Sequence, residues 1–340
     1  MDTSKIKTIQ TLGFPWKTED PYLFCAHHRD EYPRGNKNQG LNADKLKGRN
    51  IGQDFTIRDG YRMYHGTNIP GFPYHPHRGF ETITINKEGF VDHTDSLGAA
   101  GRFGAGDVQW MTAGKGVQHS EMFPLIHEDK ENPLEIFQIW LNLPQKSKFT
   151  EPHFKMLWKD MIPIVTEEDS EGRETIIDVI AGAFNGAEAP QPTPESWAAD
   201  PEHGIMILTI KMEANSEWEL PASNNNLVNR TLYFYRGKSM RMGSQPIEVN
   251  HSVTLNPTEN IHIKNGDKEA YLLLLQGQPI NEPVAQHGPF VMNTQKEIQE
   301  AFAEFRRTQF GGWPWPLREQ VHERSKRRFA LYADGREEEK

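Results

Sequence analysis

The sequence has very little cysteine and no long apolar run. Cys25 is the only cysteine in 340 residues, so no disulfide can form within the chain. No stretch approaches the roughly 20 apolar residues that a membrane helix requires. The first residues also lack the apolar core of a signal peptide. We therefore expect a cytoplasmic protein that does not use a membrane as a partner.

Positive charge is scarce relative to negative charge. The chain has 38 Lys and Arg against 47 Asp and Glu, which gives a formal net charge of -9. Because such a chain is repelled by a phosphate backbone, we predict no direct contact with nucleic acid. The basic cluster of Arg324 and residues 326–328 is flanked by Glu323 and by residues 337–339, and this pattern is typical of a solvated helix face.

Long helical periodicities are also few, whereas glycine (28) and proline (23) occur at short intervals. This pattern predicts many short strands joined by turns, and therefore an all-β fold. The length suits two domains of ordinary size. The clearest predicted strands are residues 79–86, 135–143, 175–181, 205–212, 231–236 and 270–276.

Helical signals are concentrated near the C-terminus. Thr294 followed by Glu297 is a capping-box pattern, which predicts that a helix begins there. The apolar residues that then share one helical face are Ile298, Ala301, Phe302 and Phe305. We predict a second, more exposed helix over residues 317–333.

Two polar segments interrupt the predicted strands. The polar composition of residues 145–152 indicates a connector between domains. Residues 185–204 contain four prolines, which exclude an α-helix or an interior strand. A loop of this length usually lies on the surface or covers something.

Two pairs of polar side chains have the spacing of metal ligands. His75 and His77 are two residues apart, as are His119 and Glu121. On a strand, residues i and i+2 point to the same face, so each pair can converge on one point. Paired histidines are also common as surface or packing residues. Two such pairs between glycine-rich turns nevertheless favour a metal site.

This ligand set restricts the metal. Three imidazoles and one carboxylate suit Fe(II), Mn, Ni, Co or Zn better than Mg or Ca, which prefer oxygen ligands. Four protein ligands leave two positions of an octahedral shell open for dioxygen or a chelating substrate. We predict one divalent ion held by His75, His77, His119 and Glu121.

Several segments closely resemble the hallmark segments of the pirin family. The longest are residues 75–81 (HPHRGFE), 93–96 (HTDS) and 106–121 (GDVQWMTAGKGVQHSE). Residues 138–144 and 288–294 are similar to two further family blocks. The resemblance extends from about residue 70 to residue 310, and its motifs are long and specific.

The resemblance implies a fold of two cupin β-barrel (jelly-roll) domains side by side, followed by a C-terminal helix or helices. The expected parts are a metal-binding domain over residues 1–145, a cupin domain without metal over 146–290, and a helical segment over 291–340. In pirins the histidines of His-x-His and both residues of His-x-Glu are the metal ligands. The resemblance favours Fe(II), with Mn, Ni, Co, Cu or Zn as alternatives.

The resemblance implies two alternative functions. One is a quercetin 2,3-dioxygenase-like enzyme, which opens a flavonol such as quercetin. In such an enzyme Glu121, if it can move off the metal, is the natural base for the flavonol hydroxyl. The other is a non-enzymatic, redox-responsive regulator that binds a protein partner. A third alternative is another metal-dependent reaction, because cupin folds support many chemistries. We favour the enzyme and expect a small aromatic substrate.

Other polar residues are considered as candidates for the site, and we expect different roles for them. Glu81 occupies the ligand position of the general cupin motif, and we expect it to have a structural or supporting role. His93 and Asp95 fit either a role beside the ligands or a turn. In the second half of the chain, His203, His251 and His262 have neither spacing, and we interpret them as ordinary surface histidines.

Overall fold

The computed structural model describes residues 4–340 and consists mainly of short strands. The described residues form two α-helices, α1 (Ala43–Leu46) and α2 (Gln295–Thr308). The strands, in chain order, are β1 Ile6–Thr11, β2 Tyr22–Tyr32, β3 Gly71–His77, β4 Phe80–Glu88, β5 Phe90–Asp95, β6 Ala100–Gly104, β7 Val108–Thr112, β8 Val117–Met122, β9 Asn132–Asn142, β10 His153–Leu157, β11 Ile164–Glu168, β12 Glu174–Ala181, β13 Ala183–Phe184, β14 Ala187–Glu188, β15 Met206–Met212, β16 Glu217–Leu220, β17 Asn229–Arg236, β18 Ser239–Met242, β19 Gln245–Glu248, β20 His251–Leu255, β21 Ile261–Asn265, β22 Ala270–Gly277, β23 Ala285–His287, β24 Phe290–Met292, β25 Phe329–Leu331 and β26 Glu337–Glu339. Short 3-10 turns lie at Gln145–Ser147, Lys159–Met161, Trp197–Ala199, Pro201–His203 and Gln309–Gly311.

The chain divides into two compact units. Residues 27–159 and 282–340 form one, which we call the histidine unit because it contains His75, His77 and His119. Residues 160–281 and the described part of residues 1–26 form the other, which we call the second unit.

The histidine unit is built from two antiparallel sheets. One has the strand order β10-β7-β4-β9-β2 and the other β26-β25-β6-β5-β8-β3. Val91 and Phe103 of the second sheet pack in one core with Ile136 and Phe154 of the first. Each strand therefore presents alternate residues to the space between the sheets. The candidate ligands lie on β3 and β8, at one end of the six-stranded sheet.

The second unit repeats this arrangement. A seven-stranded sheet, β1-β20-β17-β22-β15-β12-β11, lies against a four-stranded sheet, β16-β21-β18-β19. Ile177 and Val179 of the larger sheet share a core with Met240 and Met242 of the smaller one. Both units are therefore sheet-on-sheet structures, and the prediction of an all-β fold is confirmed.

The six strands predicted from composition and alternation are all confirmed. They correspond to β4, β9, β12, β15, β17 and β22. The loop over residues 185–204 contains only the short strand β14 and two 3-10 turns. Its prolines exclude a longer element, as expected.

The C-terminal helix is confirmed in detail. Thr294 caps α2: its side chain accepts from the Glu297 backbone N–H, and the Glu297 side chain accepts from the Thr294 backbone N–H. Ile298 and Ala301 are buried, and Phe302 and Phe305 pack against them.

The predicted second helix over residues 317–333 is wrong, and so is the interpretation of the basic cluster as a helix face. Residues 329–331 form β25, which pairs with β6, and residues 317–328 form irregular backbone with one turn at residues 324–325. Strand pairing at a distant position therefore overrides the local helical signal. Three of the four basic side chains are paired instead: Arg324 with Glu128, Lys326 with Glu337 and Arg328 with Asp107.

The compact units differ from the three continuous segments expected from the sequence. The segments 1–145, 146–290 and 291–340 assume that each part of the molecule is one stretch of chain. In the structure each unit combines two stretches, because β1 pairs with β20 and β25 pairs with β6. Within residues 291–340, α2 is followed by β25 and β26.

No helix among the described residues is long and apolar enough to cross a membrane.

Candidate metal centre

The two polar pairs lie on neighbouring strands. His75 and His77 are on β3, and His119 and Glu121 are on β8. The strands are antiparallel, and His75 lies directly opposite His119. Because alternate residues of a strand share a face, all four side chains point into the space between the two sheets.

The three histidines converge. One ring nitrogen of each of His75, His77 and His119 lies within 4.8 Å of the others. The Nε2 atoms of His75 and His119 are 3.1 Å apart. Two donors bound to one ion at about 2.1 Å lie about 3.0 Å apart at a right angle and about 4.2 Å apart when opposite. The observed separation therefore fits two ligands of one ion.

Backbone carbonyls orient two of the imidazoles. His75 Nδ1 donates to the Pro73 carbonyl over 2.9 Å, and His77 Nδ1 donates to the Pro289 carbonyl over 3.4 Å. In a neutral imidazole this leaves Nε2 with its lone pair directed at the site. Such outer hydrogen bonds are the usual means by which proteins fix a ligand histidine.

Burial keeps the imidazoles neutral. It lowers the pKa of His75 to about 4 and the pKa values of His77 and His119 well below the usual range, since a charged ring is poorly solvated there. Neighbouring histidines lower the pKa values further. A neutral imidazole is the form that binds a metal.

Glu121 lies beside the histidines and is held from the opposite sheet. Thr84 Oγ1 of β4 donates to Oε1 over 2.9 Å, and Gln138 Nε2 of β9 donates to Oε2 over 2.5 Å. Oε2 is 3.8 Å from His119 Nε2. Burial raises the pKa of Glu121, and the two hydrogen bonds oppose that shift.

The residues present fit a divalent ion. Three neutral nitrogens and one carboxylate form a donor set for a first-row transition metal. Each carboxylate oxygen of Glu121 has a second lone pair, so it can bind a metal while it accepts its hydrogen bond. His119 Nδ1 has no hydrogen-bond partner among the described residues, and it is the remaining donor of a ring that binds through Nε2.

Two neighbouring polar residues support the strands. His93 and Asp95 on β5 lie opposite Glu121 and His119. Asp95 Oδ2 accepts from His93 Nε2 over 3.3 Å, and Oδ1 accepts from the backbone N–H groups of residues 97 and 99. Asp95 therefore fixes both a turn and the His93 ring, which supports the turn interpretation; a role in orienting a substrate or supporting a ligand imidazole stays a prediction.

Glu81 points away from the histidines. It occupies an alternate position on β4 relative to Thr84, which faces the site. Its Oε1 accepts from Thr112 Oγ1 over 2.7 Å. This contact gives Glu81 a structural role, as expected.

The interior beside Glu121 is polar. Asn86 and Gln109 lie at inward-facing positions of β4 and β7 and are buried. Their side-chain amides, and Thr82 Oγ1, have no hydrogen-bond partner among the described residues. Buried groups of this kind usually bind water or the polar atoms of a ligand.

An aromatic cluster borders His75. Phe72 lies 6.3 Å from His75, measured between ring centroids, and contacts both Phe55 and His65. Phe55 is 41% exposed, so this cluster reaches the surface. An aromatic molecule that approaches His75 from solvent would meet these rings.

A C-terminal strap, residues 309–322, lies on the outer side of the ligand strands. Gln118 Nε2 donates to the carbonyls of Gln309 and Gly312, and the Trp313 ring stacks on Tyr74 at 4.9 Å. Trp315 Nε1 donates to the Asp95 carbonyl. The strap therefore braces β3, β5 and β8 from behind the site.

The histidines of the second unit make separate contacts. His203 stacks on Trp197, His262 contacts Glu217, and His251 contacts Thr11. They are not part of the histidine group on β3 and β8.

Thr84 and Gln138 were not predicted as site residues, although one of them has a signal in the sequence. Gln138 is a polar residue within the otherwise apolar run 136–141. A polar side chain in a buried strand needs a partner, and Glu121 is that partner. Thr84 lies in an alternating strand rich in β-branched residues and has no comparable signal.

Comparison with known proteins gives the chain its class and family. The pirin model matches residues 35–141, which include all four predicted ligands, and the model of the pirin C-terminal cupin domain matches residues 207–311. With two sheet-on-sheet units, the chain is a protein of two cupin-type domains. It belongs to the pirin family.

Individual relatives agree with this assignment. The pirin-like protein of Caulobacter vibrioides is 36% identical over 246 residues, which cover 71% of this chain and 81% of the relative. The pirin of Homo sapiens is 32% identical over 254 residues, 73% of this chain and 80% of the relative. A solved structure of quercetin 2,3-dioxygenase from Acinetobacter baumannii has a TM-score of 0.69 and 26% identity, and the match covers 91% of this chain and 98% of that one.

Proposed function

We propose that the protein is a metal-dependent dioxygenase that acts on a flavonol such as quercetin. The observation that carries the proposal is the convergence of His75, His77 and His119 beside the buried carboxylate of Glu121. The similarity to a solved quercetin 2,3-dioxygenase supports the choice of reaction.

The metal is proposed to be bound by the three histidines and Glu121. Fe(II) is our choice, and it rests on the resemblance to pirins; the donor set also accommodates Mn, Ni, Co, Cu or Zn. A divalent ion bound there supplies Lewis acidity to the adjacent oxygen atoms of a chelating substrate.

Glu121 is proposed as the base that removes the flavonol hydroxyl proton. Oε2, the oxygen near His119, has one lone pair left beside its hydrogen bond from Gln138, so it would receive the proton only when it is not bound to the metal. Burial raises the pKa of Glu121, which makes the carboxylate a stronger base than an exposed one. Thr84 and Gln138 hold the carboxylate in place while it acts.

The surroundings suit a flat polyphenol. The exposed ring of Phe55, together with Phe72, offers apolar contact next to His75. The buried amides of Asn86 and Gln109 offer hydrogen bonds to phenolic oxygens. A small sugar acid would instead require basic groups, and the motifs adjoin only Arg78, which pairs with Glu304, and Lys115, which pairs with Glu151.

Oxygen uptake with quercetin tests the activity. Full-length protein is stripped of metal and reloaded with Fe, Mn, Ni, Co, Cu or Zn, and metal content is measured in every sample. We expect oxygen uptake with release of carbon monoxide that requires both the metal and His119. The His119→Ala variant is the control, and uptake by metal-free protein or by this variant would contradict the proposal.

The base assignment has its own test. We expect Glu121→Gln to lower kcat by about 10²–10⁴, the usual contribution of a general base. Because Gln keeps an oxygen ligand, the metal content of the variant is measured first. Full turnover by a variant that retains its metal would show that Glu121 is not the base.

The alternative function is a redox-responsive regulator that binds a protein partner. The same experiment separates it from the enzyme: confirmed metal loading without oxygen uptake would favour the regulator. Its own test is the affinity for a captured partner, compared between ferrous, ferric and metal-free protein. Equal affinities would exclude a redox switch. The cytoplasm remains our proposed location, and it rests on the single cysteine.

A further inference from the structure

The second unit contains a cavity that the metal chemistry does not use. Its volume is about 710 Å³, within the range of sites for small molecules. Residues from the stretch 182–206, which includes the proline-rich loop over residues 185–204, line one side, and residues 221–226 line another. Arg230 and Gln276 are its most buried polar members, at 1% and 2% exposure.

Arg230 is a buried charge with no counter-charge among the described residues. It lies on β17 in line with Leu232 and Phe234, which point into the core, so its side chain points between the sheets. Nη1 donates to the Pro221 carbonyl over 2.7 Å, and Nε has no acceptor among the described residues. Burial alone lowers the pKa of Arg230, to about 10, so the group is charged at neutral pH and no neighbouring charge stabilises it.

An arginine in this state has a preferred ligand. Nη1 donates to Pro221, whereas the edge formed by Nε and Nη2 has no acceptor among the described residues, and this edge matches the two oxygens of a carboxylate. A buried cation without an anion is costly, so an anion that reaches this edge binds without competition from the protein's own carboxylates.

Gln276 sets a second requirement for the chemistry of the ligand. It lies directly opposite Arg230 on β22. Its Nε2 donates to the Gly204 carbonyl over 3.1 Å, whereas Oε1 has no donor among the described residues. A ligand that satisfies both residues carries a carboxylate for Arg230 and a hydroxyl that donates to Gln276.

The rest of the lining limits the charge and shape of the ligand. Exposed carboxylates of Glu188, Asp200 and Glu202 belong to the lining and disfavour a multiply charged anion. Ile205 and Met206 add apolar surface. The cavity therefore suits a singly charged ligand that has an apolar body.

We propose that this cavity binds a small hydroxycarboxylic acid, with its carboxylate on the Nε–Nη2 edge of Arg230 and its hydroxyl on Gln276 Oε1. The proposal does not depend on the dioxygenase activity, because every residue that carries it lies in the second unit.

Three matched probes test the ligand class by calorimetric titration of the full-length protein. Mandelate has the carboxylate, the hydroxyl and an apolar ring; phenylacetate lacks the hydroxyl, and mandelamide lacks the charge. We expect mandelate to bind, phenylacetate to bind about tenfold more weakly, and mandelamide not to bind measurably. No binding of mandelate, equal binding of mandelamide, or binding of inorganic phosphate in place of mandelate would overturn the proposal.

Variants locate the site. We expect Arg230→Met to abolish mandelate binding, and Arg230→Lys, which keeps the charge without the fork, to weaken it by about tenfold. The matched control is Arg241→Met, because Arg241 is an exposed arginine of the same unit. Unchanged affinity in Arg230→Met would overturn the proposal. If that variant does not fold, Gln276→Leu provides the test: we expect its affinities for mandelate and phenylacetate to become equal, and a retained preference for mandelate would overturn the assignment.

Discussion

Two opposing effects act on the pKa of the Glu121 carboxyl group. Burial favours its protonated form, whereas the hydrogen bonds from Thr84 and Gln138 favour its ionised form. A base must be ionised before it can accept a proton, so these two donors determine the pH above which Glu121 works. They also come from the sheet opposite β8, so they hold the carboxylate independently of its own strand.

We expect Gln138→Leu to shift the pH dependence of quercetin turnover. Loss of a hydrogen bond that stabilises the ionised form raises the pKa of Glu121, so the acidic limb of the kcat profile moves to higher pH by about one unit. Oxygen uptake across a pH series measures this shift. Gln286→Leu, at an exposed position of the same unit, is the control. An unmoved limb would mean that Gln138 does not tune the base.

A second prediction at the residue scale concerns the stability of the protein at acidic pH, and it rests on His28. Burial, with smaller effects from Arg62 and His27, lowers the pKa of His28 to about 3. The unfolded chain therefore binds one proton more than the folded chain between about pH 6.5 and pH 3, and the stability that His28 contributes above pH 6.5 is lost as the pH falls through this window.

We expect His28→Gln to reduce the pH dependence of unfolding by about 1.4 kcal/mol per pH unit below about pH 6. Urea unfolding of metal-free protein in a series of buffers between neutral and acidic pH measures the slope. His153→Gln, at an exposed position, reports the effect of the substitution itself. The same slope in wild type and His28→Gln would contradict the prediction.

Local spacing explains why the histidines were predictable and their supports were not. Two residues at i and i+2 on a strand share a face in any fold, so His75 with His77, and His119 with Glu121, could be paired from the sequence. Thr84 approaches Glu121 only after two sheets have packed. No local rule gives that contact, and a family resemblance does not describe it.

At the scale of elements, the C-terminal strap is joined to the ligand strands by Gln118. This residue lies next to His119 on β8 but points to the opposite face, where its amide donates to two strap carbonyls. The strap therefore restrains the strand that presents His119 and Glu121.

We expect Gln118→Leu to lower the free energy of unfolding by about 1–3 kcal/mol, because it leaves partly buried carbonyls without a donor. We also expect faster loss of bound metal to a chelator, since β8 loses its outer brace. Urea unfolding and the rate of metal release measure the two effects, with Gln286→Leu as the control. Normal metal retention in a destabilised variant would limit the strap to a role in stability.

The capping box of α2 gives a prediction confined to one helix. Thr294→Ala removes the side-chain acceptor for the Glu297 N–H, and we expect a loss of about 1 kcal/mol. Lys296→Ala, at an exposed position of the same helix, is the control. Equal unfolding free energies for the two variants would show that the cap does not limit stability.

In the C-terminal segment, the sequence predicts helix α2 correctly but wrongly predicts a helix over residues 317–333. Helix α2 is specified by its own cap and apolar stripe, and both are local. Residues 317–333 have helical composition, but Phe329–Leu331 pair with β6 more than 220 residues earlier, as Phe329 opposite Arg102 shows. Long-range pairing of this kind leaves no periodic signal in the sequence of the strand that is paired.

At the scale of the whole molecule, strand pairing makes each unit from two separated stretches of chain. The sequence showed a polar connector near residue 145 and therefore suggested continuous domains. It could not show that β10 completes the five-stranded sheet beside β7, or that β25 pairs with β6. A cut at residue 145 separates the candidate ligands from both strands and from α2.

We therefore expect residues 1–145 alone to fold poorly. Without β10 and β25, the edges of β7 and β6 are exposed, and Phe154 and Ala330 are missing from the core. We expect no cooperative unfolding transition and no tight metal binding, measured by near-ultraviolet circular dichroism and metal titration. The matched control is a chain of residues 22–159 joined by a flexible linker to residues 282–340, which contains every strand of the two sheets of the histidine unit. Cooperative folding with tight metal binding by residues 1–145 would show that the distant strands are dispensable, and failure of the linked chain alongside it would show that the histidine unit does not fold without the rest of the molecule.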